Sequence, residues 1–283
     1  MIVEGGGMRG IFTAGVLDAF LNASFNPFDM YFGVSSGAAT LSSYLARQSG
    51  RHFRIFTKFA CQPEFMSFRK MMSGGSYMDL DWLWDTVEEN EPLNIPIIDQ
   101  HLEDKECYIV CTGVNTGKPV YLTPKGQNWI LYLKASSAIP VLYRNFPYID
   151  NEPMADGGVM DPIPAMAAYN KGAERLIVIR TRPLNVQKKA GLSPLVSTFF
   201  LKEYPKLKAT IPGQAKRYNK TLGFLKMPPA GIEVIQVAPQ SPLKTRRTTK
   251  KSSVLINDYL DGIANGMKIL KVLNHKAPGS LTQ

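Results

Sequence analysis

Met30-Tyr31-Phe32-Gly33-Val34-Ser35-Ser36-Gly37-Ala38 carries a short apolar run into a helix-compatible stretch through a serine flanked by glycines. Gly33, Ser35 and Gly37 fit G-x-S-x-G, the pattern of a nucleophile elbow, in the context it needs: strand, sharp turn, then a helix expected over residues 38–47. The elbow backbone is strained, and a side chain at either flanking glycine would crowd the turn. Strain of this kind presents the serine hydroxyl at the end of a strand, where an acyl carbonyl can approach.

Upstream, Ile2-Val3-Glu4 reads as a short strand, Gly5-Gly6-Gly7-Met8-Arg9-Gly10 as a loop, and residues 11–21 as a helix, with Ile11, Gly15 and Ala19 at helical spacing. A glycine loop before a helix presents bare N–H groups beside a helix N-terminus and so favours negative charge. Either a phosphate or the oxyanion of a tetrahedral intermediate suits it. Gly5, Gly7 and Gly10 also satisfy G-x-G-x-x-G, but dinucleotide binding needs an acid at the end of the next strand. That strand ends in the elbow, and its nearest acid, Asp29, precedes it. The oxyanion reading is therefore the stronger.

A reactive serine needs a proton acceptor. The three histidines are poor candidates: His52 lies in basic Arg51-His52-Phe53-Arg54 and reads as a solvated helix face, while His101 lies among acids and reads as a surface residue. His275 would complete the order Ser, Asp, His, yet it follows a helix-like run over 254–273 instead of a strand. An aspartate remains, and Asp156-Gly157-Gly158 stands out as a third glycine-marked block.

Taken in order, Gly5–Gly10, Gly33–Gly37, Ala135-Ser136-Ser137-Ala138-Ile139-Pro140 and Asp156-Gly157-Gly158 resemble the motifs of the patatin-like phospholipases, most closely the short bacterial branch. The resemblance spans about residues 1–180, with a looser continuation to about 240. It implies a three-layer α/β fold with a mainly parallel sheet flanked by helices. It also implies a Ser–Asp dyad: Ser35 as nucleophile, Asp156 as base, Gly5, Gly6, Gly7, Arg9 and Gly10 as the oxyanion loop, and no metal or cofactor. Asp-Gly-Gly stands where Asp-Gly-Ala is commoner in the family, a change that touches no reacting group.

At 283 residues and 45% hydrophobic content, the chain suffices for one large domain, expected as a catalytic core over about 1–180 and a helical, basic part over about 181–283. Strands are expected at 2–4, 30–34, 107–113, 119–122, 175–180 and 233–237, and helices at 11–21, 38–48, 51–60, 127–136, 164–171 and 254–273. Such alternation argues for a mainly parallel sheet covered on both faces. No apolar run reaches the ~18 residues of a transmembrane span, and no signal-peptide pattern opens the chain. Cys61, Cys107 and Cys111 lack metal-ligand spacing and are expected as buried thiols. These features point to a cytoplasmic protein with peripheral access to membranes.

The net charge of +10 is concentrated over 182–226 and in Lys244, Arg246, Arg247, Lys250 and Lys251, in a loop expected to lie away from Ser35. Charge runs are commonly solvated faces. In an enzyme acting on lipid they also attract anionic membranes, and no nucleic-acid motif accompanies them. Residues 62–84, with Phe65, Met66, Phe68, Met72, Trp82 and Trp84, read either as core or as a mobile cap. Two function classes follow: a serine hydrolase of fatty acyl esters, whether phospholipid, lysophospholipid, carboxylester or thioester, or a lipid-binding protein without turnover.

Overall fold

Tyr31, Phe32 and Val34 form the middle of a central sheet, and their alternation explains its two-sided burial. The computed structural model describes residues 1–189 and 201–276, the last three by backbone alone. Among the described residues the eight strands are β1 (Ile2–Val3), β2 (Met30–Val34), β3 (Glu106–Gly113), β4 (Pro119–Leu122), β5 (Tyr148–Ile149), β6 (Glu152–Asp156), β7 (Arg175–Ile179) and β8 (Glu233–Val237). Their order is β5-β6-β3-β2-β1-β7-β8, with β4 also paired to β3. The stretch β3-β2-β1-β7-β8 is parallel, while β4, β5 and β6 join antiparallel. The fold is therefore mixed α/β with a mainly parallel sheet, as the motifs imply.

Successive side chains of a strand point to opposite faces. Ile2, Phe32, Val34, Val110 and Val178 pack one way. Val3, Tyr31, Ile109 and Ile179 pack the other. The second face is covered by α1 (Gly10–Asn22) and α2 (Ser36–Leu45), followed by α3 (Arg51–Arg54), α5 (Leu80–Asn90), α6 (Ile95–His101) and α7 (Asn128–Ser136), while α4 (Phe68–Met72) buries no residue of its own. The first is covered by α8 (Ala165–Asn170) and, after α9 (Pro205–Thr210), by α10 (Gln214–Lys226). Strands buried on both faces read as continuous apolar runs, which is why they were legible.

The last helix, α11 (Ser252–Lys276), packs along α1 and also meets the edge strand β8. Their backbones nearly touch: a Cβ on Gly15 would fall 2.1 Å from the Tyr259 carbonyl oxygen, and one on Gly262 would fall 2.1 Å from that of Phe12. The Gly15–Ala19 stripe in α1 is thus a docking groove for α11. Covered on both sides, α1 is buried along almost its whole length.

Four expectations need correction. His52 is buried rather than solvated: its ring packs edge-on against Phe56, and its Nδ1 lies 3.2 Å from the Ser43 hydroxyl. Burial, then the adjacent Arg51 charge, holds it well below the usual histidine range. Arg51 is buried with it, donating to the Glu91 carbonyl at 2.8 Å, because the C-terminal end of α5 folds over α3. His101 is half-buried against Asn26 and Tyr31, not on the surface. Cys61 is only half-buried, unlike Cys107 and Cys111 in β3. His275 falls inside α11 rather than after it, and its side chain lies outside the described residues.

Residues 62–84 divide between the two readings. Phe65, Met66, Met78, Leu80 and Trp84 belong to the core, and an antiparallel bridge between Met66 and Met78 ties the segment's ends. Phe68 and Met72, on α4 between them, are 66% and 72% exposed.

Candidate active site

Ser35 sits where β2 ends and α2 begins, with φ 53° and ψ −131°, a left-handed conformation that is costly for any residue but glycine. Close packing around the turn holds it there. A Cβ on Gly37 would lie 2.6 Å from the carbonyl oxygens of both Val3 and Glu4, so only glycine lets α2 start against the end of β1. The Ser35 N–H donates to the Ser136 hydroxyl at 2.8 Å, and that hydroxyl donates to the Val110 carbonyl at 2.6 Å. Ser136 thus pins the elbow to β3, giving the Ala135–Pro140 block a physical role that its sequence alone did not disclose.

Strand register delivers Asp156 to the same point. One edge of β3 pairs with β4, from Ile109 opposite Leu122 to Thr112 opposite Pro119. The other edge pairs with β2 as far as Val110 opposite Val34, and then with β6, where Cys111 faces Asp156. As β2 turns away at the elbow, β6 takes over its position. The last residue of β6 therefore lies beside the first residue after β2.

The Asp156 carboxylate is buried and accepts from the Gly158 N–H at 2.7 Å. Its pKa is raised above the ordinary aspartate value, chiefly by burial; a hydrogen bond with the Ser35 side chain, that of Gly158, and the Arg247 and Lys188 charges act in the opposite direction. Burial makes the carboxylate more basic, and the remaining contacts keep its charged form accessible.

Two cavities meet at Ser35. The larger, about 720 Å³, holds Asp156, the glycine loop, Arg9, Arg182, Lys188 and Arg247. The smaller, about 60 Å³, is apolar, running past Ala39, Ile55, Phe56, Phe65, Leu83 and Trp84. Gly5, Gly6, Gly7 and Arg9 line the larger cavity, whereas Gly10 faces Phe56 and Ser36 and its N–H is turned back onto the loop. The Gly6 N–H donates to the Ser36 hydroxyl at 3.0 Å. Among the described residues the Gly7 N–H has no partner within the protein. Gly33 and Gly37 frame the elbow, Gly157 abuts β3, and Gly158 caps Asp156.

Sequence reasoning missed several groups at the site. Glu4 is buried, accepting from the Thr181 N–H at 2.7 Å and the Tyr218 hydroxyl at 2.9 Å. Arg182 and Lys188 follow β7, beyond the expected motifs. Arg247 belongs to the basic loop expected to lie away from Ser35, yet it lines Ser35's cavity. The reason is that its carbonyl accepts from the Met8 N–H at 3.1 Å, which straps the loop over the glycine turn.

The family model of patatin-like phospholipases matches residues 1–169, and that of a domain of unknown function (DUF6363) matches residues 204–275. The chain is 31% identical over 296 residues to the uncharacterized protein YjjU of Escherichia coli (strain K12), covering 98% of this chain and 80% of that protein. The crystal structure of VipD from Legionella pneumophila superposes with a TM-score of 0.43 at 14% identity, covering 95% of this chain and 66% of that one. With its elbow, glycine loop and Asp-Gly-Gly block inside the matched residues, the chain belongs to the patatin-like phospholipase family, a family of lipid acyl hydrolases.

Proposed function

We propose that the protein is a serine lipid acyl hydrolase that cleaves fatty acyl esters of phospholipids or lysophospholipids through a Ser35–Asp156 dyad. The observation that carries this reading is that strand register brings a strained, cavity-lining serine beside a buried aspartate of raised pKa. Asp156 takes the proton as Ser35 Oγ attacks the ester carbonyl, and returns it to the departing alcohol oxygen. The acyl group then rests on Ser35 until water, deprotonated by Asp156, releases it as a fatty acid. The unpartnered Gly7 N–H is the first candidate donor to the oxyanion, and such a donor is worth roughly 3–4 kcal/mol. Gly6 can join it only by giving up the Ser36 hydroxyl. Arg9 adds positive charge nearby, and Gly5 shapes the loop. No metal or other cofactor enters the scheme.

In this reading the apolar cavity takes the start of the acyl chain, and the larger one takes the alcohol side of the ester. The whole chain acts as one catalytic domain, since the basic loop reaches the cavity and α11 clasps α1. Contact with anionic bilayers is peripheral, with Phe68 and Met72 as exposed apolar anchors beside Arg69 and Lys70. Among the described residues no helix is long and apolar enough to cross a membrane. A fluorophosphonate probe should label Ser35 and no other serine, and phospholipid vesicles incubated with the protein should release free fatty acid by mass spectrometry. Labelling that persists in Ser35→Ala sinks the assignment; binding of vesicles without any release favours the lipid-binding alternative.

A further inference from the structure

The larger cavity holds more positive charge than its two acids balance. Arg9 comes from the glycine loop, Arg182 and Lys188 from the segment after β7, and Arg247 from the strap. Among the described residues none of the four is ion-paired with an acid. The two acids lining the cavity are already engaged. Glu4 is held by Thr181 and Tyr218, and Asp156 by Gly158 and Ser35.

The Arg9 Nε is buried without a hydrogen-bond partner. A guanidinium donor in that position is costly unless an acceptor is supplied. The cations also work against one another. Burial, then the neighbouring Arg182, pushes Arg9 down to about 10, and burial, then Arg247 and Arg182, pushes Lys188 down to about 8. Like charges gathered in a cleft, with an orphaned donor among them, are the complement of a multiply charged anion. A carboxylate offers two oxygens, too few for four converging cations. A phosphate group offers more oxygens and a larger charge.

We infer that this cleft receives the phosphate of an anionic acyl ester, held by Arg9, Arg182, Lys188 and Arg247 while the scissile ester lies over Ser35. The inference rests on the proposed hydrolase reading and narrows it to phosphate-bearing lipids whose head group adds no positive charge. A choline head would bring a cation into a cavity with no free acid. Tyr218, an aromatic group able to receive it, already lies under the Lys188 ammonium at 5.7 Å.

The test compares three soluble substrates below their micellar concentrations: dihexanoyl glycerophosphate, dihexanoyl glycerophosphocholine and p-nitrophenyl hexanoate. The wild-type protein should favour the glycerophosphate over the choline ester by about tenfold or more in kcat/KM, as expected for charge-assisted hydrogen bonds to a phosphate. In Arg182→Gln, and independently in Lys188→Gln, the ratio of glycerophosphate to p-nitrophenyl ester should fall, with partial recovery in Arg182→Lys. Equal hydrolysis of the two lipids by the wild-type protein overturns the inference but leaves the hydrolase reading standing. Competitive inhibition by inorganic phosphate without preference for the glycerophosphate also overturns it, making the cleft a site for a free anion. No hydrolysis of any substrate, together with unlabelled Ser35, overturns both readings.

Discussion

Residues 1–169 and residues 204–275 meet across one cavity and contribute different things to it. The first region supplies groups whose positions follow from backbone constraint: a serine at positive φ, an aspartate at the end of a strand whose register is fixed by β3, and a glycine loop beside them. The second supplies cover and one cation, Arg247, while Arg182 and Lys188 come from the stretch between the two. Its strap is held by the Arg247 carbonyl on the Met8 N–H, by the Lys250 ammonium on the Met66 carbonyl, and by the Thr245 N–H on the Asp258 carboxylate at 2.7 Å. On this division, substitutions in the first region should remove chemistry while leaving the fold. Those in the second should alter stability, substrate preference or surface attachment while leaving chemistry.

Asp156→Asn puts the largest strain on that division. Loss of the base should lower turnover by about 10²–10⁴-fold. Asn still offers an acceptor to the Gly158 N–H, so the turn is kept. The sign of the stability change follows from the raised pKa. A carboxyl that holds its proton more tightly folded than unfolded makes stability fall as pH rises between the two pKa values, and the cost persists above both. At neutral pH the Asn variant should therefore melt no lower than the wild type. Wild-type kcat/KM should rise with pH through a midpoint above the ordinary aspartate value. A variant that loses both activity and melting temperature would assign Asp156 to the scaffold, and a flat acid limb would remove it as the base.

Gly262→Val tests the opposite claim. Its side chain would enter the Phe12 backbone, so α11 must shift away from α1. Overpacking of this kind costs typically about 1–3 kcal/mol. Urea unfolding should show the loss in the midpoint, whereas kcat on a soluble ester, measured on the folded fraction, should hold. An unchanged midpoint would make the C-terminal region a separable appendage, and a selective loss of kcat would tie the clasp directly to the glycine loop at the start of α1.

The same division explains what the sequence disclosed. Elbow, loop and Asp-Gly-Gly are legible because close backbone approach admits few residue types, so Gly37 and Ser35 advertise their geometry. The parallel strands are legible because burial on both faces leaves apolar runs. Charge carries no such mark. Arg182, Lys188 and Arg247 look like Lys244 or Lys251, and only the tertiary path of the strap decides which cations enter the cavity. His52 and Arg51 were misread for the same reason: the cover that buries them comes from α5, some 40 residues away in sequence. Glu4 and Ser136 were missed because their partners lie far off in the chain.

The smallest effects belong to the cations that stay outside. Lys244, Arg246 and Lys251 are exposed and do not line the cavity, unlike Arg247 between them. If they serve attachment, each contributes about 1 kcal/mol at an anionic bilayer, so a single Gln substitution should weaken vesicle binding roughly fivefold. Hydrolysis of a monomeric ester should not change, because these exposed side chains do not line the cavity and charges in water are screened over about 8 Å at physiological ionic strength. Added salt should reproduce the loss on vesicles in the wild type and have less effect on the substituted forms. Equal losses on vesicles and monomer would mean that the whole strap, and not Arg247 alone, shapes the cleft. No loss on either would leave these three as a solvated face and shift attachment to Phe68 and Met72.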